Sequence, residues 1–250
     1  MFEATIAMPT SRQYLLEHIH NKLAEFLQQS GGISTYYSCK DTVFLSVATN
    51  QLFAYVAKKQ IVEAVAETLS LGYKNIYIRQ KLGLTRGGFW QNLLVNTLST
   101  LDNHADKTFV STVLDADKPI FVEGYYNFAL KWLKGKWQEL VEMVQEGNLL
   151  DYDDQALCDF FRYLLQSQPH KSDLLTVTMH NDGYQLFTTS GKVVAPLYSL
   201  AQNATMEEEI TLTLLCLNAT NVKLCYKTKP GQEFCHFMQN LFKTQHFPLE

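Results

Sequence analysis

Two periods of apolar residues alternate along this chain. Residues 2–8 read as a short strand, and Pro9, Thr10 and Ser11 then open a helix with Leu15, Ile19, Leu23 and Phe26 on its inner face. Gly31 and Gly32 stop it. The β-rich runs 33–39 and 42–49, separated by Lys40 and Asp41, predict a hairpin with Val43, Leu45 and Val47 on one face. A helix over about 51–71 follows, ended by Gly72.

The middle of the chain has the helical period. Phe121, Tyr125, Phe128 and Trp132 recur at i, i+4, i+7 and i+11, which places four rings on one helical stripe. At that spacing large rings are core positions far more often than a ligand-binding box. A glycine costs about 1 kcal/mol relative to alanine in a helix interior, so Gly135 marks a kink or break. The stripe resumes at Trp137, Leu140, Val141 and Val144. A second helix carries Leu157, Phe160, Phe161, Leu164 and Leu165, with Asp151, Asp153 and Asp154 around its first turn and Pro169 beyond its end. The short connection predicts a helical hairpin in which Phe128 and Phe161 are buried in one apolar cluster.

Beyond it the period changes to two. Leu175, Val177 and Met179 alternate with Thr176, Thr178 and His180, and Asn181-Asp182-Gly183 is a hairpin turn. Residues 184–188 form the return strand and 192–195 a third. Thr205 and Glu208 make a capping box before a helix lined by Ile210, Leu214 and Leu217. A strand at 221–226 and a helix bearing Phe234, Phe237, Met238, Leu241 and Phe242 complete the pattern. The expected fold class is α+β: a central helical hairpin and further helices flanked by N- and C-terminal segments, each with a β-hairpin and helices. The segments are 1–72, 73–170 and 171–250, which one compact domain can also accommodate.

Composition narrows the function. Of 250 residues, 46% are hydrophobic, enough for a core, and the net charge of −4 argues against a generic nucleic-acid binder. Five scattered cysteines without a CxxC pair point to buried free thiols in a reducing compartment. No run of apolar residues is long enough to span a membrane, and no signal peptide is evident, so a cytoplasmic protein without membrane association is expected.

The motifs of phosphate-binding loops, dinucleotide folds, serine hydrolases and zinc proteases are missing. Cys225, Cys235 and His236 fit no standard zinc spacing. Acids at 102, 106, 115 and 117 resemble helix ends and loops more than a magnesium site. No catalytic, cofactor or metal residue is therefore assigned, and the balance leans away from an enzyme. Residues 68–101 hold no acid but carry Lys74, Arg79, Lys81 and Arg86 among aromatic residues. This is the alternative surface, one that binds nucleic acid by phosphate contacts and stacking. The bland alternative is a solvated helix face.

The stretch Glu123-Gly124-Tyr125-Tyr126-Asn127-Phe128-Ala129-Leu130-Lys131 resembles the E-G-F-x-x-F-R-L-K signature of the YtxC-like family of endospore-forming bacteria. Tyr125 replaces the usual Phe and Ala129 the usual Arg. The aromatic run at 160–169, the turn at 181–184 and Ser190-Gly191 also fit that family, and 207–224 fits more loosely. The resemblance implies a sporulation-associated protein that acts by binding, with an unidentified protein as partner. The charged positions of the signature, with Asn127 between them, give the candidate binding surface: Glu123, Asn127, Lys131 and Arg162.

Overall fold

The computed structural model describes residues 1–84, 88–147, 149–150, 154–167, 172–195, 200 and 204–249. In chain order its elements are β1 (Phe2–Pro9), α1 (Gln13–Ser30), β2 (Ile33–Cys39), β3 (Thr42–Thr49), α2 (Ala54–Glu67), α3 (Lys74–Lys81), α4 (Phe89–Thr100), α5 (Asn103–Val113) and β4 (Ile120–Phe121). Then come α6 (Lys131–Glu146), α7 (Asp154–Ser167), β5 (Ser172–His180), β6 (Gly183–Thr188), β7 (Val193–Val194), α8 (Met206–Cys216), β8 (Ala219–Tyr226), α9 (Gln232–Leu241) and β9 (Lys243–Pro248). The fold is α+β with a hairpin near each end. No helix among the described residues is long and apolar enough to cross a membrane. The chain forms two compact units, 1–78 with 101–139 and 79–100 with 140–250.

The first unit carries a sheet in the order β2-β3-β1-β4, with β4 parallel to β1 through the pair Ile6 and Ile120. Val43, Leu45 and Val47 point into the core, because successive strand side chains alternate between faces. Leu15, Leu16, Ile19, Leu23 and Leu27 of α1 cover that face, and Gly31 ends the helix in the left-handed region at φ 63°. Gly72 does not end a helix, contrary to the sequence expectation. It sits in a wide π turn, Thr68–Tyr73, that joins α2 to α3. A Cβ there would stand 2.7 Å from Leu15 Cδ2, so the missing side chain of Gly72 makes room for Leu15 of α1.

Lys74 follows this turn and is buried, only 1% exposed. Its Nζ donates to Asp106 Oδ2 at 2.9 Å and to the Leu101 carbonyl, while Trp137 Nε1 donates to the same carboxylate oxygen at 3.0 Å. Burial pushes the Lys74 pKa down, and Asp106 opposes that shift. This corrects the nucleic-acid surface: Lys74 is spent on an internal ion pair and does not face solvent. Asp106, read as an acid of a loop or helix end, lies in the first turn of α5 and is buried.

The predicted aromatic core stripe is also corrected. Phe121 is 57% exposed, Phe128 77% and Trp132 56%. The buried positions are Val122, Tyr126, Leu130, Leu133 and Trp137. A uniform helix does not run through this segment. β4 ends at Phe121, one helical turn covers Val122–Gly124, and a π turn covers Tyr125–Ala129, closed by Leu130 N–H donating to the Tyr125 carbonyl at 3.2 Å. The wider turn keeps 122, 126 and 130 in line and turns 121, 128 and 132 outward. The break expected at Gly135 falls here instead, and α6 runs unbroken through Gly135.

In the second unit the sheet order is β7-β6-β5-β8-β9. β5 and β6 form the predicted hairpin, with Leu175, Val177, Met179 and Leu186 buried. β8 lies parallel to β5 and β9 parallel to β8, connected by α8 and α9. Parallel neighbours require such crossovers. β9, absent from the sequence reading, is a polar edge strand. The capping box is formed: Thr205 Oγ1 accepts from Glu208 N–H, and Glu208 Oε2 accepts from Thr205 N–H. Phe161 of α7 is fully buried, with its ring 5.5 Å from that of Phe237.

Two outcomes follow from this packing. Phe161→Ala should cost about 3–5 kcal/mol, read as a drop in the urea midpoint at unchanged slope. Glu67 anchors α2 to its neighbours, with His18 Nε2 at 3.2 Å and Lys22 Nζ at 2.9 Å from Oε1 and Lys107 Nζ at 3.4 Å from Oε2. Burial works against its charge, but hydrogen bonds from His18 and Lys22 and the charges of Lys22 and Lys107 outweigh it. They bring its pKa down from 4.5 to about 2. A lowered carboxylate stabilises the fold above its unfolded pKa, and that contribution is lost as pH falls through the folded one. Wild type should therefore exceed Glu67→Gln in stability at neutral pH, and the gap should close as denaturation is measured from pH 4.5 towards 2.

Candidate protein-binding surface

The outward face of the Phe121–Trp132 stretch is built by the inward one. Tyr126 is buried and its ring lies 4.7 Å from that of Tyr73, whose hydroxyl donates to Glu123 Oε2 at 2.9 Å. Lys134 Nζ sits 3.7 Å from the centre of the Tyr126 ring. Tyr77 donates to Gln138 Oε1 at 3.0 Å and packs on Trp137. Burial and then the Glu123 charge push the Tyr73 pKa up, and the same causes in the same order lift Tyr126 to about 12. Both phenols stay protonated near neutrality, which suits hydrogen-bond donation and not proton abstraction. Burial lowers the Lys134 pKa against the pull of Glu123.

With one side held this way, Phe121, Phe128 and Trp132 have no place in the core. Trp132 rests on Phe109 of α5, ring centres 4.9 Å apart, and Lys136 Nζ lies 4.7 Å from the centre of the indole. Phe128 has the greatest exposure of the three. Large exposed rings clustered within a dozen residues mark an interaction surface more often than scattered apolar residues do.

The sequence-predicted residues separate. Glu123 is half-buried and accepts from Tyr73, so it positions the segment; Asn127 and Lys131 are exposed beside Phe128 in the sequence. Arg162 belongs to the second unit, where it donates to Asp159 Oδ1 and to the Asn240 carbonyl at the end of α9. It borders a cavity of about 360 Å³ with Leu165, Asn218, Gln239 and Lys243. In the alternative set, Lys74 is buried, Arg79 donates to Asn92 Oδ1 at 2.8 Å, Lys81 is exposed, and Arg86 lies outside the described residues. Lys74 belongs to the first unit and Arg79 and Lys81 to the second.

An open groove of about 640 Å³ runs along α2 and α5, but Lys58 pairs with Asp117 and Lys107 with Glu63 on its walls. All five cysteines are free thiols; Cys158 and Cys225 are buried, Cys216 and Cys235 partly so, and Cys39 is exposed, which corrects its expected burial. Among the described residues no three His, Cys, Asp or Glu side chains gather as a metal site.

Sequence reasoning missed the exposed rings because two stripes run side by side here. Val122, Tyr126, Leu130, Leu133 and Trp137, at spacings of four, four, three and four, compete with the aromatic one. The lysines at 131, 134 and 136 around Trp132 were the signal that its side of the segment is wet. No family model matches the chain, and no curated protein or solved structure matches it either.

Substitution separates the two stripes. Phe128→Ser should change the unfolding free energy by less than about 0.5 kcal/mol, as exposed sites do. Tyr126→Ala should lose about 3 kcal/mol. Equal losses in thermal or urea unfolding would mean that Phe128 is packed.

Proposed function

We propose that this protein acts by binding another protein through the surface formed by Phe121, Phe128 and Trp132. The observation that supports this reading is the exposure of three large rings in a segment whose other face is firmly anchored. Keeping such rings in water forgoes roughly 1.5–3 kcal/mol of burial each, which a partner's surface recovers on docking. Trp and other aromatic residues are also the side chains that dominate protein interfaces. Asn127 and Lys131 belong to the polar rim in this reading, and Glu123 acts from behind by holding the turn. The resemblance of residues 121–191 to the YtxC-like family supports a sporulation-associated, cytoplasmic setting for that binding.

The test is site-specific photo-crosslinking in sporulating cells. A photoreactive phenylalanine analogue at position 128 or 132 should give one discrete heavier species. The same probe at Tyr163, exposed in the second unit, should not. A Phe128→Ser, Trp132→Ser double variant should accumulate to normal levels yet fail to restore spore formation to a strain lacking the protein. Normal spore yield from that variant would remove the surface from the function.

A further inference from the structure

The partner's chemistry can be read from the charges around the rings. From residue 124 to residue 138 the chain has no Asp or Glu but carries Lys131, Lys134 and Lys136. Neighbouring acids of the same unit are already engaged. Glu123 accepts from Tyr73, Asp115 pairs with Lys118 at 3.0 Å, Asp117 pairs with Lys58, and Asp106 is buried with Lys74. Lys107 of α5 is held by Glu63 and Glu67. Lys134 is committed to the face of Tyr126. Lys131 and Lys136 are exposed and have no acid within ion-pair distance among the described residues; Lys136 instead hangs over Trp132. Glu139 closes the patch at its far end.

We infer that the docking segment of the protein partner is acidic, with apolar side chains that seat on Phe128 and Trp132 and carboxylates that meet Lys131 and Lys136. This rests on the proposed protein-binding surface and adds its charge requirement. Covering the rings desolvates the ammonium groups beside them. A neutral partner leaves them unpaired at a cost, whereas carboxylates convert that cost into charge-assisted hydrogen bonds and faster encounter. Nucleic acid would satisfy the charge as well. But Lys136 already lies over the Trp132 indole, so a base stacking there has to displace that lysine, whereas an apolar side chain packs on the exposed part of the ring as it stands.

The experiment is selection of displayed random dodecapeptides on the full-length protein, followed by affinity measurement with the enriched peptides. Enrichment of Asp and Glu around Leu, Ile or Phe is expected, with affinity weakened at least about tenfold by Phe128→Ser with Trp132→Ser and by K131E with K136E. Raising the salt should weaken binding too, and selection repeated on the charge-reversed protein should enrich Lys and Arg. Melting temperatures of the variants verify that they fold. Peptides that need the rings but ignore K131E with K136E would overturn the acidic partner and leave the protein-binding surface standing. If no peptide depends on the rings, both fall. A uridine oligonucleotide, or vesicles containing phosphatidylserine, that binds through the same four residues more tightly than any peptide would overturn the inference in favour of that ligand.

Discussion

The packing of Tyr126 against Tyr73, with the Tyr73 hydroxyl donating to Glu123, sets which side of the segment 121–132 is core and which is surface. An α-helix through the same residues would have kept the rings at 121, 125, 128 and 132 on one stripe. Val122, Tyr126 and Leu130 share a face across the π turn at Tyr125–Ala129, and the Tyr73 hydroxyl fixes that arrangement by donating to Glu123. Exposure of Phe121, Phe128 and Trp132 then follows as a consequence. A segment anchored so firmly on one side presents its other side with little conformational freedom, which reduces the entropy that docking must overcome.

The first unit also shows how charge is allotted. Lys74, Asp106 and Trp137 form a buried network in which the Asp106 Oδ2 accepts from both the ammonium and the indole, the kind of hydrogen bonding that lets an ion pair be tolerated away from water. Glu67 collects His18, Lys22 and Lys107, and Asp115 and Asp117 take Lys118 and Lys58. With these acids satisfied internally, Lys131 and Lys136 stand out as exposed lysines with no ion-pair partner among the described residues, beside apolar rings. The chain as a whole is acidic, at −4, so this patch is local and not a reflection of bulk composition.

Much of the local structure was legible from neighbouring residues. The alternation at Val43, Leu45 and Val47 and at Leu175, Val177 and Met179, the Gly31 stop and the Thr205–Glu208 capping box all appear as read, while the hairpin turn falls on Asn181 and Asp182, with Gly183 already paired to His180 in β6. Each is settled by side chains within a few positions of one another. β9 was not legible, because its residues are polar and its strand exists only through pairing with β8, Asn221 opposite Lys243. Gly72 looked like a helix stop because the residue that needs its missing Cβ, Leu15, is far away in sequence. Lys74 looked like a surface cation for the same reason, since Asp106 lies 32 residues on.

What the sequence by itself determined was the inventory of elements and the existence of an apolar, aromatic, lysine-flanked segment at 121–137. Periodicity can show that such a segment has stripes, but not which of two adjacent stripes will be buried, because both satisfy it equally. Only the tertiary structure made that choice. Tyr73 and β1 offer a place for Tyr126 and Val122, and a stripe becomes core only where another element is present to receive it.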